Sequence, residues 1–120
     1  DPRVVVREKF NLRHLQPEDV GEPIELCVAD VSFISLTLIL PPIFALLTGE
    51  AVVLIKPQFE LSPEDVGKGG IVRDPEAHLR AVEKIRGFAE GPLSAKWAGV
   101  IESPILGAEG NKEFLAWLKK

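Results

Sequence analysis

The stretch that decides the fold is Ala51–Glu60, AVVLIKPQFE. Its apolar run, rich in β-branched Val52, Val53 and Ile55, reads as a buried strand. Pro57 then ends the ladder, because a proline has no N–H to donate. Between them stands Lys56, a cation carried straight out of an apolar strand. Charge is poorly solvated there, so the placement asks for a use at the strand's end.

Similar patterns lie on either side. Ile24–Asp30, IELCVAD, is another strand, with an acid at its carboxyl end. Val4–Val6 follows a proline and reads as a short buried strand, and a loop containing Asn11, Pro17 and Gly21 comes next. Residues 35–47 have helical length, with Pro41 and Pro42 forcing a break or a fresh first turn and Gly49 as the stop. The third strand is then Glu50–Lys56. After a long connection punctuated by glycine and proline, Asp74-Pro75-Glu76 gives an N-cap, a proline at the first helical position and an acid in the first turn. That helix runs to about Glu90, and Gly91-Pro92 ends it. Residues 96–103 form a fourth strand, 103–111 a turn, and 112–120 a fifth strand or a short helix. So short a turn predicts that the last two elements pair antiparallel. Strands alternating with helices predict an α/β layer fold with a mostly parallel sheet.

Composition sets limits. The 120 residues, 46% hydrophobic and 27% charged, make one soluble domain or part of one. The longest apolar segment, residues 34–47, is interrupted by its prolines and falls short of the roughly 20 residues that cross a bilayer. A net charge of −4 offers no general footprint for nucleic acid. Acidic side chains dominate through residue 66, whereas basic ones prevail beyond it, so a polyanion would favour the second half. The single cysteine, Cys27, reads as a buried thiol acting as a small hydrophobe, which fits a reducing cytoplasm.

In open α/β sheets, ligands bind beyond the carboxyl ends of the strands. Asp30 and Lys56 both stand at that rim, where they form either a ligand site or a plain surface ion pair. Gly67, Gly69 and Gly70, with Lys68, read equally as an anion-holding nest or as a flexible loop. The spacing is wrong for a phosphate-binding P-loop. His14 and His78 are isolated, no metal-ligand spacing occurs, and Trp97 and Trp117 read as core or edge aromatics.

Four segments in order carry a resemblance: ADVSFISL (29–36), LIKPQFE (54–60), GKGGIVRDP (67–75) and SPILGAEGNKEFLAWL (103–118). Together they resemble the TlyA family, often called hemolysin A, which are FtsJ-like, S-adenosylmethionine-dependent 2′-O-methyltransferases of ribosomal RNA. The opening residues 1–15 are similar to the family's third sheet strand and the loop after it. The resemblance implies a Rossmann-like methyltransferase fold, mostly parallel, with an antiparallel carboxyl-terminal strand. It implies catalytic roles for Asp30, Lys56 and Glu113, three members of the family's Lys-Asp-Lys-Glu set, with Lys56 accepting the proton of a ribose 2′-hydroxyl. It also implies that Asn11 and Asp30 contact the cofactor, S-adenosylmethionine, and that the partner is ribosomal RNA, in the cytoplasm and away from membrane.

The family's glycine-rich cofactor turn, its first catalytic lysine and its small amino-terminal RNA-binding module have no counterpart in these residues. Leu106, Ala108 and Glu109 also replace a more polar and basic turn. The expectation is therefore that residues 1–120 are the carboxyl-terminal part of one methyltransferase domain, holding strands 3–7 of the family order 3-2-1-4-5-7-6 and lacking strands 1 and 2. Such a chain alone should be inactive, and its exposed sheet edge invites a homo-oligomer. The rival readings are a membrane-active cytolysin and a non-catalytic RNA-binding or assembly piece.

Overall fold

The computed structural model of the chain describes residues 24–67, 69–107 and 110–120. Val4–Val6, Asn11, His14, Lys68, Ala108 and Glu109 lie outside them. The four described strands are β1 (Ile24–Ala29), β2 (Leu47–Ile55), β3 (Lys96–Glu102) and β4 (Phe114–Lys119), in the sheet order β1-β2-β4-β3. β1 and β2 are parallel, with Cys27 opposite Ala51 and Ala29 opposite Val53. β4 inserts between β2 and β3 and runs against both. Three strands thus point one way and one is reversed. The expected mostly parallel sheet is a mixed one over the described residues, and the last element is a strand, antiparallel to its predecessor as the short turn predicted.

The helices are α1 (Leu36–Leu46), α2 (Pro57–Glu60) and α3 (Pro75–Glu90), with a 3-10 turn at Pro63–Asp65. Ser35 caps α1 by accepting from the Thr37 amide. Leu36, Ile39, Leu40, Ile43 and Phe44 recur at helical spacing and face the sheet. Pro41 and Pro42 lie inside this continuous helix instead of breaking it. Each removes one i→i−4 hydrogen bond, but buried apolar residues on both sides hold the helix through them. The long apolar run is therefore spent on the core, and no helix among the described residues is long and apolar enough to cross a membrane.

Gly49 does not stop α1. The helix passes directly into β2 at Leu47, whose N–H bonds the Phe44 carbonyl. Gly49 lies within β2, where the register against β1 slips from Ile24↔Leu47 to Leu26↔Glu50. At this bulge the two backbones approach so closely that a Cβ on Gly49 would lie 2.2 Å from the Glu25 carbonyl oxygen. Gly49→Ala is expected to destabilise the fold by about 1–3 kcal/mol, read as a lower urea midpoint. An unchanged midpoint would contradict the close approach.

α3 follows its sequence signal: the Asp74 side chain accepts from the Glu76 amide, Pro75 opens the helix and Gly91 follows its last residue. Its buried residues Ala81, Val82, Ile85 and Ala89 pack with α1 on one face of the sheet, over Ala51, Val53, Ile55, Ala116 and Leu118. Trp97 and half-buried Cys27 border this core, and burial pushes the Cys27 thiol pKa up. Alternate residues point the other way. Leu26, Val28, Ile101 and Trp117 are exposed there, and no described element covers them. By the two-residue period, Asp30 and Lys56 leave their strands toward this open side.

The glycine loop is closed by its own backbone. The Gly67 N–H donates to Ile71 O at 2.8 Å and the Gly70 N–H to Gly67 O at 3.1 Å. Gly69 and Gly70 take positive φ to make that turn. Two of the amides that an anion nest would need are already spent.

Candidate active site at the carboxyl ends of the central strands

Lys56 occupies the N-cap position of α2, where Pro57 turns the chain out of β2. Its Nζ lies 2.5 Å from Asp30 Oδ1 and donates to Ser32 Oγ at 3.0 Å. The two ends of this pair differ. The lysine side chain is only 11% exposed, whereas that of Asp30 is 66% exposed. A pair half open to water contributes little to stability.

Glu113 enters from the third strand of the site. β2 and β4 pair Leu54 with Leu115 and Ile55 with Phe114, and one step further that register sets Glu113 across from Lys56. The Glu113 side chain is buried, and the Gln58 amide nitrogen donates to its Oε2 at 3.3 Å. Gln58 Oε1 is buried with no hydrogen-bond partner among the described residues. The turn before β4 is built around this carboxylate. Gly107 N–H donates to Asn111 O and Ser103 N–H to Glu113 O, each at 2.8 Å. A Cβ on Gly107 would lie 1.8 Å from Glu113 Oε2. Only glycine leaves the room that Glu113 occupies.

Asp30, Lys56 and Glu113 therefore line one cleft of about 690 Å³, floored by Leu54 and Leu115 and walled by Ser32, Phe33, Gln58, Phe59 and residues 103–107. Phe33 stands at its mouth, 89% exposed, with a ring centroid 4.9 Å from that of Phe59. Its φ of 65° is uncommon for a residue with a side chain. Such strain persists only where the surroundings enforce it, and it clusters at functional sites. Sequence reading missed Ser32, Phe33, Gln58 and Gly107. Their one signal was position, since each follows a strand or precedes one at the rim where Asp30 and Lys56 were found. Of the residues singled out beforehand, the structure brings together Asp30, Lys56 and Glu113, whereas Asn11 lies outside the described residues. Among the described residues, no group of three or more His, Cys, Asp or Glu side chains could hold a metal ion.

The model of FtsJ-like methyltransferases matches residues 1–120. The chain belongs to that family, within its TlyA group. It is 44% identical over 121 residues to the 16S/23S rRNA (cytidine-2′-O)-methyltransferase TlyA of Mycobacterium tuberculosis, covering 99% of this chain and 45% of that protein. It is 47% identical over 124 residues to YqxC of Bacillus subtilis, covering 98% of this chain and 43% of the relative. A solved structure from Streptococcus thermophilus, labelled a hemolysin, superposes with a TM-score of 0.94 at 42% identity, covering 100% of this chain and 44% of the other. The chain thus spans less than half the length of the curated relatives it matches.

Proposed function

We propose that this chain is the carboxyl-terminal part of the catalytic domain of a ribosomal RNA 2′-O-methyltransferase that uses S-adenosylmethionine in the cytoplasm. The observation that carries the reading is the convergence of Asp30, Lys56 and Glu113 on one cleft. The cofactor's fit is argued from the donor set. Carboxylates at positions 30 and 113 suit a positively charged sulfur, and the Leu54–Leu115 floor suits a nonpolar methyl group. When bound, S-adenosylmethionine supplies an electrophilic methyl on a sulfonium sulfur. Asp30 would hold that cationic end, and the family resemblance gives Asn11 a contact with the cofactor's adenine.

The chain's own residues would do the rest. Lys56 Nζ would first pass its own proton to Asp30 and then, as the neutral amine, take the proton of the ribose 2′-hydroxyl while the oxygen gains its bond to the methyl carbon and the sulfur–carbon bond breaks. Asp30 fixes the direction of the amine through the 2.5 Å contact, and its exposed carboxylate gives the proton an exit to water. Glu113, held by Gln58, orients the hydroxyl from the opposite strand. At the mouth, Phe33 offers an aromatic face on which an unstacked RNA base can rest.

The test is transfer of a labelled methyl group from S-adenosylmethionine to ribosomal RNA by the full-length protein. Incorporation supports the reading. None into RNA of either subunit would overturn it.

A further inference from the structure

The reacting groups sit on two separate segments, one after β1 (Asp30, Ser32, Phe33) and one after β2 (Lys56, Gln58, Phe59). Something must fix the spacing between them. Lys56 bridges the two through Asp30 and Ser32, but a side chain that has to exchange a proton serves poorly as the clamp. The Phe33–Phe59 ring contact is almost wholly exposed on its Phe33 side.

Glu60 is the better clamp. It ends α2, four residues after Lys56, and its side chain is 2% exposed. Its Oε1 accepts from Ser35 Oγ at 2.5 Å and its Oε2 from the Leu36 N–H at 2.8 Å, at the end of the segment that begins with Asp30. Lys84 of α3 closes the set, with Nζ 3.2 Å from Glu60 Oε1 and 2.7 Å from the Glu60 carbonyl oxygen. A buried carboxylate with this many charge-assisted hydrogen bonds has one place to sit. It joins the post-β1 segment, the post-β2 segment and α3 at a single point, beneath the cleft rather than in it.

We propose that Glu60 is a positioning residue, whose carboxylate locks the segment after β1 to the segment after β2 and so sets the distance between Asp30 and Lys56. The inference rests on the methyltransferase reading above. Glu60 does not line the cleft, so its effect reaches the reaction only through the geometry of the two segments. It should therefore act on turnover and leave binding alone.

The experiment compares Glu60→Gln, Ser35→Ala and Lys56→Ala in the full-length protein, measuring kcat, KM for ribosomal RNA and S-adenosylmethionine affinity. Glutamine keeps the shape of Glu60 but turns an N–H toward either the Leu36 amide or the Ser35 hydroxyl. Small misplacements of reacting groups cost large factors, so kcat should fall about tenfold. KM and cofactor affinity should stay within about twofold, the pattern of an interaction expressed in the transition state alone. A folded Glu60→Gln protein whose kcat stays within about twofold of wild type overturns the proposal. So does a variant whose KM and cofactor affinity worsen by the same factor as kcat, since that marks a general loss of structure. If Glu60→Gln does not fold, Ser35→Ala carries the test. Losing one hydrogen bond to the carboxylate should lower kcat about threefold with KM unchanged, and an unaltered kcat overturns the proposal. Lys56→Ala separates the two levels. No transfer by the wild-type protein removes the methyltransferase reading itself, full activity in Lys56→Ala removes the catalytic role of that lysine and with it the positioning role, and an inactive Lys56→Ala beside a fully active Glu60→Gln removes only the positioning role.

Discussion

Lys56→Ala is expected to lower methyl transfer by the full-length protein at least about a thousandfold, within the range that a lost proton acceptor costs. KM for ribosomal RNA should change little, because the lysine side chain is largely buried and adds almost nothing to the outer surface that RNA would meet. Lys56→Arg should be as inactive as the alanine variant. A guanidinium keeps the positive charge and can bond Asp30, yet it does not give up its proton at any working pH. The pair of variants thus separates charge from proton exchange. An active arginine variant would mean that position 56 serves as a cation only, and single-turnover rates at saturating cofactor are the measurement that decides.

The second large effect comes from a residue that does no chemistry. Gly107→Ala places a Cβ 1.8 Å from Glu113 Oε2 and 2.4 Å from its Cδ. The carboxylate has to leave, because it is buried and backed by Gln58. Gly107 is not among the glycines at positive φ, so alanine costs little in backbone energy. The expected result is a kcat about a hundredfold below wild type, matching Glu113→Gln measured alongside, with a thermal midpoint lowered by only a few degrees. Near-normal turnover would show that Glu113 can move aside without consequence, and its proposed place at the ribose hydroxyl would be lost.

Much of the scaffold could be read from local chemistry. Asp74 and Pro75 announce α3 because capping is decided within a single turn, and the apolar run before Lys56 is a strand by composition alone. What could not be read depends on partners distant in sequence. Gly49 looks like a helix stop, and only the approach of Glu25 shows that it is a bulge. Pro41 and Pro42 look like a break until the burial of Ile39, Leu40, Ile43 and Phe44 holds the helix together. The glycines at 67–70 suggest an anion nest until their amides are found closing the turn.

The site divides in the same way. Asp30 and Lys56 stood out because a charge at the end of an apolar strand is costly. Glu113, in a turn rich in polar residues, carried no such signal and was reached through the family resemblance. Phe33 has neither glycine nor asparagine beside it to mark its left-handed backbone. Glu60 reads as one more acid in a polar loop until Ser35, Leu36 and Lys84 are seen to converge on it. Of the rival readings, a cytolysin would need residues 34–47 free to meet lipid, and α1 buries its apolar face in the core instead.

The most direct measurement is to identify the methylated atom. Ribosomal RNA treated with the full-length protein and S-adenosylmethionine would be digested to nucleosides and separated by mass spectrometry. The proposed function predicts a nucleoside carrying its new methyl on the 2′-oxygen, formed by the wild-type protein and missing with Lys56→Ala. A methyl group found on a base nitrogen or carbon, or a 2′-O-methyl yield unchanged by Lys56→Ala, would contradict it.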